Sequence, residues 1–422
     1  MNATTPPRPR VVVIGGGFAG LDAARALRGA PVDVTVVDRR NHHVFQPLLY
    51  QVAAAALSPG DIASPIRWIL RRQDNLRVLL AEVTAVDAPG RTLLLDQGER
   101  LDFDYLIMAP GAMHSYFGHD DWASHAPGLK TLEDALVLRR RMLLAFEEAE
   151  RESDPVRKQH LLTFVLVGGG PTGVELAGAL GEIARHALRH EYDTIEPESA
   201  RIILLEGGDT ILPTFPASLR DSAREALRKL GVEVWERALV TQVLPEEVEV
   251  KGERLRAHTI IWAAGVAGSP LGVTLGATVD RIGRVLVAPD LSVPGYPYIF
   301  VAGDLANFPH QTGKPLAGVA QVAKQQGRHA ARNILRLVRG EATTTFRYRD
   351  PGNMATIGRA AAIADFGFAR FSGFIGWILW LFVHILFLIG FRNRLSVLIQ
   401  WAASYVTYQR SVRLITGDRQ QD

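Results

Sequence analysis

Cysteine does not occur among the 422 residues. Its absence excludes disulfides, thiolate metal sites, iron–sulfur clusters and any mechanism that runs through a thiol. An excess of one charge is missing too: 47 Lys and Arg against 44 Asp and Glu leave a formal net charge of +3. That balance carries no nucleic-acid footprint, and none is expected as a partner. Residues 1–10 are polar and proline-containing with no apolar stretch, so no secretory signal is read there and synthesis is expected to end in the cytoplasm. Glycine, by contrast, is plentiful at 39 residues, and the length allows two or three domains with substantial cores.

The glycines that organise the chain lie in residues 11–38. An apolar run at 11–14 reads as a buried parallel strand. Gly15, Gly17 and Gly20 form a G-x-G-x-x-G turn opening into a helical pattern, and a second β-branched run ends on Asp38. Each part has a physical task. Gly15 makes the tight turn, Gly17 admits a pyrophosphate to the backbone, and Gly20 lets helix pack on strand. The helix N-terminus offers N–H groups and a positive dipole end to phosphates, and Asp38 is placed to accept from ribose hydroxyls.

The pattern recurs. A strand at 161–167 leads into Gly168, Gly170 and Gly173, a helix over 174–190, and a strand ending on Glu206. Two dinucleotide sites in series suggest that one cofactor reduces the other. Elsewhere, residues 41–60 read as a loop, 61–72 as an amphipathic helix and 78–86 as a strand. Strands ending at Ala109-Pro110-Gly111 and at Gly303-Asp304 place small or acidic residues where a ligand approaches an α/β sheet, although an ordinary turn or a helix N-cap would look the same. A long helix begins near Ala320. Glu182, His186 and His190 recur every four residues, but such trios are mostly solvated stripes and no fourth ligand is apparent, so no metal is expected.

The chain resembles the type II, non-proton-pumping NADH:quinone oxidoreductases of the two-dinucleotide-binding-domain flavoproteins. The resemblance rests on both fingerprints in order, VFQPLLYQVA after Asp38, WAAGV at 262–266, VAGDLA at 301–306 and AQVAKQ at 320–325, the last being the family's A-Q-x-A-x-Q quinone motif. It implies two Rossmann-like, glutathione-reductase-like domains plus a C-terminal amphipathic membrane-anchoring segment. FAD would be held by residues 1–130 with 284–345, NADH by 131–283, and the membrane by 346–422. Gly15, Gly17, Gly20, Asp38, Gly111, Asp304, Ala320 and Gln321 would contact FAD. Gly168, Gly170, Gly173 and Glu206 would take NADH, with Glu175 in the charge network and Gln321 and Gln325 bordering the quinone, ubiquinone or menaquinone. A homodimer is expected. Ala317 stands where family members often carry proline, which affects the shape of that loop and not the motif.

The missing cysteines exclude sulfide:quinone oxidoreductases and disulfide reductases. A soluble ferredoxin or rubredoxin reductase remains the alternative for residues 1–345, and a catalytically dead membrane-binding flavoprotein stays open. Glu206 is followed by Gly207 and Gly208 with no Arg placed for a 2′-phosphate, so NADH is expected over NADPH. In the tail, residues 374–391 form an eighteen-residue apolar run, and five arginines with no acid lie between Arg370 and Arg413. Four of the five follow the run, so a single span from a cytoplasmic enzyme would put them outside, against the positive-inside rule. A monotopic anchor on the cytoplasmic face is therefore expected, with a single span as the alternative.

Overall fold

The computed structural model describes residues 7–407 and 412–415. Its chain falls into two compact units, each drawn from three stretches of sequence. The first comprises Met1–His43, Ser64–Met113 and Val266–Pro351; the second comprises Val44–Ala63, His114–Gly265 and Gly352–Asp422.

In the first unit, strands Leu76–Leu80, Asp33–Asp38, Arg10–Ile14, Tyr105–Met108 and Tyr296–Val301 pair in parallel, and Ser292–Val293 adds an antiparallel edge. Val11, Val12, Val13 and Ile14 are buried, as a strand covered on both faces requires, and this is why it reads as an unbroken apolar run. Helix Phe18–Ala26 packs on helix Ala320–Val338 at Gly327, where any side chain would strike the Ala19 backbone. The second unit repeats the plan. Val232–Trp235, Arg201–Leu205, Thr163–Val167 and Thr259–Trp262 form a parallel sheet, with helix Pro171–Glu182 following its central glycine turn.

Four local expectations give way. Residues 41–60 are more ordered than a loop: Leu49–Ala53 is a buried helix, and Pro59–Ile62 is a short one closed by a Ser58/Asp61 capping box. Turns this brief show no 3.6-residue period, so their composition reads as irregular. The helix expected over 61–72 is only Ile66–Leu70, because Pro65 cannot sit inside it and a strand, Ala63–Pro65, comes first. The strand over 78–86 divides into Leu76–Leu80 and Val83–Asp87. The helix over 174–190 stays α-helical only to Glu182 and then widens into a π-turn at Ile183–Ala187.

The tail also belongs to the second unit. Strands Asn353–Thr356, Ala362–Asp365 and Arg370–Ser372 form an antiparallel sheet that leads into helices Gly373–Phe387 and Phe391–Thr407. The apolar run is therefore interrupted: Leu388 is extended and Gly390 has φ +92°. Fifteen residues of helix make about 22 Å at 1.5 Å each, short of the ~30 Å hydrocarbon layer. Among the described residues no helix is long and apolar enough to cross a membrane. Arg410 lies outside the described residues. Asp61 joins the second tail helix to the short one before it, accepting from Ser396 at 2.8 Å and Gln400 at 3.0 Å.

Candidate functional site

The two glycine turns have the same geometry. Gly15 has φ +95° and Gly168 φ +113°, a region open to glycine, and the carbonyls of Val37 and Leu205 accept from their N–H groups at 2.8 and 2.7 Å. A Cβ on Gly20 would strike the Gly15 carbonyl oxygen, and one on Gly173 the Gly168 oxygen, so each third glycine is required by helix–strand contact. Gly17 and Gly170, the helix N-caps, have no atom within 4 Å of where a Cβ would stand. Above them is the open space a pyrophosphate needs. The acids at the strand ends, placed by sequence for ribose, also brace the turns. Asp38 accepts from Gly16 N at 2.5 Å and Arg40 N at 2.7 Å; Glu206 accepts from Gly169 and Gly208 N, each at 2.6 Å.

Around the first turn, Gly111 follows its strand with φ +78° and an open Cβ position. Asp304 lies in the 3₁₀ turn Gly303–Leu305, with the start of helix Ala320–Val338 packed against that turn. That helix has no acid in its own first turn, at Ala320 and Gln321, and the Asp304 carboxylate lies against Gly318, just before it. Gln325 is engaged otherwise: its Nε2 donates to Arg349 O at 2.8 Å and its Oε1 accepts from Arg349 N at 3.0 Å. Its amide thus brackets the chain leading out of the helix.

Two residues escaped sequence reasoning. Gln326 is fully buried; its Oε1 accepts from Gly303 N at 2.8 Å and its Nε2 has no protein partner. The helix phase carried the signal, since Val322, Ala323, Gln326, Gly327 and Ala330 repeat at buried spacing. His43, 3% exposed, places Nδ1 3.0 Å from Gly16 O and leaves Nε2 buried without a partner. Burial holds its pKa down at about 4, so the ring is neutral and Nδ1–H donates to the glycine carbonyl. Buried polar atoms left over beside an open glycine cradle fit a polar cofactor there.

In the second unit Glu175 lies just past the first turn of helix Pro171–Glu182. Burial pushes its carboxyl up to about 8, against the Thr356 N–H at 3.4 Å. Such a group is protonated at neutral pH and can give a proton up. Glu182 accepts from the Arg359 main-chain N–H and faces the tail. A third cluster, His160, Glu246 and His258, joins at 2.9 and 2.6 Å, but Arg157 also donates to Glu246 at 2.8 Å, as a cation site would not favour.

Residues 9–327 match the family model described as pyridine nucleotide-disulphide oxidoreductase, and residues 351–408 that of the NDH2 C-terminal domain. The chain is 44% identical to the type II NADH:quinone oxidoreductase Ndh of Mycobacterium tuberculosis, over 99% of this chain and 92% of the relative. It is 32% identical to the type II NADH:quinone oxidoreductase of Staphylococcus aureus, over 83% of this chain and 88% of that one. Among solved structures, NDH2 of Plasmodium falciparum in complex with NADH superposes with a TM-score of 0.88 at 21% identity, covering 97% of this chain and all of that one.

Proposed function

The chain belongs to the type II NADH:quinone oxidoreductase family, and from that premise we propose that it passes two electrons from NADH through FAD to a membrane quinone without pumping protons. One observation carries the reading: the same glycine turn, built twice, each with an open cap and a braced acid. FAD, when bound, supplies the hydride acceptor and the electron relay.

The chain's own residues then bind and orient. Gly15, Gly17 and Gly20 admit the FAD pyrophosphate to the helix N-terminus, Asp38 takes the ribose, and Gly111 and Asp304 line the rest of its path. Ala320 and Gln321 bring a helix dipole to the flavin ring, where it favours negative charge. Gly168, Gly170, Gly173 and Glu206 hold NADH. Glu175, whose carboxyl burial raises to about 8, belongs in this reading to the charge network beside NADH. Gln321 faces the quinone, and Gln325 shapes that side by fixing Arg349. By this reading FAD occupies residues 1–130 with 284–345 and NADH 131–283.

The tail supports a monotopic anchor at the cytoplasmic face. Phe374, Ile375, Phe382, Phe391 and Ile399 expose apolar surface, Phe391 at 80%, beside Arg392 and Arg394. A ferredoxin- or rubredoxin-reductase reading leaves this surface without a use. We carry a homodimer as the assembly, to be read by light scattering in detergent.

Anaerobic NADH should bleach the purified protein's flavin, and a soluble quinone should restore its colour. Bleaching without recovery would leave a dehydrogenase with another acceptor. Removing the tail from residue 366 onward should release the protein from membranes, and retention there would end the anchor model.

A further inference from the structure

Phe117 and Gly265, both in the second unit, meet past the carboxyl end of strand Thr259–Trp262. A Cβ on Gly265 would lie 2.6 Å from the Phe117 ring, and that ring stands 6.3 Å from Trp262 at 63°. We propose that the Phe117 ring is a contact face for the nicotinamide half of NADH. The proposal rests on the reading of the second glycine turn as the NADH site.

The sheet sets the direction of the ligand. Strand Thr163–Val167 is flanked in parallel by Arg201–Leu205 on one side and Thr259–Trp262 on the other, so their carboxyl ends share one edge. Glu206 follows the first flank and takes the adenosine ribose, and Gly170 leaves room for the pyrophosphate. The far half of the dinucleotide then has to cross the end of the other flank. That end touches the glycine turn: a Cβ on Gly168 would lie 2.7 Å from the Ala263 backbone. Gly265 follows just beyond, with the Phe117 ring on it.

The backbone at Phe117 is strained. Its φ is +55°, in the left-handed region that a Cβ makes costly, and such strain persists only where the surroundings fix it. Here they do. Trp262 Nε1 donates to Ser115 O at 2.9 Å, and Tyr116 stacks on Trp262 at 5.3 Å while its hydroxyl donates to Ala126 O at 2.9 Å. The ring recovers little of that cost by burial, since Phe117 is 64% exposed. Glycine would meet the same turn without strain, so the gain from a ring here comes from what binds over it. Nicotinamide is flat, and positively charged in NAD+, and both properties suit an aromatic face. Adenine is flat as well, but Glu206 holds the adenosine half at the opposite flank.

The test uses the full-length, FAD-loaded, oxidised protein. Calorimetric titration with NAD+ reads binding without turnover, and ADP-ribose, which lacks nicotinamide, reads the adenosine half alone. Phe117→Gly relieves the backbone and removes the ring. It should weaken NAD+ binding about fivefold, the worth of one aromatic stack, while ADP-ribose binds as in the wild type and the melting temperature does not fall. Phe117→Tyr keeps the face and should bind NAD+ as the wild type does. The KM for NADH should follow the same order with the flavin spectrum unchanged. Unaltered NAD+ binding in Phe117→Gly, equal weakening of ADP-ribose, or Phe117→Tyr as weak as Phe117→Gly would overturn the inference and leave the proposed function standing. If NADH does not bleach the wild-type flavin, that function falls instead.

Discussion

Asp38 and Glu206 end equivalent strands and hold equivalent glycines, Gly16 at 2.5 Å and Gly169 at 2.6 Å. The carbonyls of those same glycines are held by different means. In the first turn an imidazole holds it, His43 Nδ1 at 3.0 Å; in the second the Leu212 main-chain N–H does so at 2.8 Å. A trans peptide points its C=O and the following N–H in opposite directions, so either clamp fixes where the N–H of Gly17 or Gly170 points. One backbone outcome is reached by a side chain that titrates and by a main-chain group that does not. The first turn can therefore be weakened by substitution or by acid at its clamp, and the second cannot be reached in this way.

The largest break in the comparison comes from the shared feature. Gly20→Val drives carbon into the Gly15 carbonyl and should yield protein without flavin absorbance. Gly173→Val makes the same collision in the second turn and should keep its flavin while NADH no longer bleaches it. If both variants lose flavin equally, the two turns do not serve separate cofactors.

Glu206 sharpens the second turn. A carboxylate facing a 2′-phosphate repels it, so kcat/KM should favour NADH over NADPH at least tenfold, about 1.4 kcal/mol. Equal rates with the two nucleotides would remove Glu206 from that role.

His43→Leu should loosen FAD by roughly tenfold, with His43→Asn recovering part of the loss through its own N–H donor. Titration of apoprotein with FAD reads this directly. Burial lowers the His43 pKa from 6.5 to about 4, so its contribution to stability is present above pH 6.5 and lost as pH falls through 4. Flavin release should rise over that window in the wild type and less so in His43→Asn.

Glu175 gives the smallest effect and the opposite sign. Its pKa rises from 4.5 to about 8, so the unfolded chain loses this proton first. The stability linked to it is fully present below pH 4.5 and is lost as pH rises through 8. Glu175→Gln should flatten that decline in melting temperature. A variant that follows the wild-type curve would show that Glu175 is not the group titrating there.

Residue order alone was enough to read the two glycine turns, the strands and the helix starts beside them, the acids at the strand ends, the start of the helix at Ala320 and the family. These features are local: a glycine turn, a helix and a buried strand each span a few adjacent residues whose steric demands show directly in residue type. Packing in three dimensions was needed to show that residues 44–63 and the tail fold with the second unit, that Gln325 is spent on Arg349 while its neighbour Gln326 holds Gly303, that His43 clamps Gly16, and that the apolar run breaks at Leu388–Gly390, between two helices. Those outcomes join positions up to 350 residues apart, as in the bond from Trp401 to Gln51, and the energy that selects them appears only once burial has removed water from both partners.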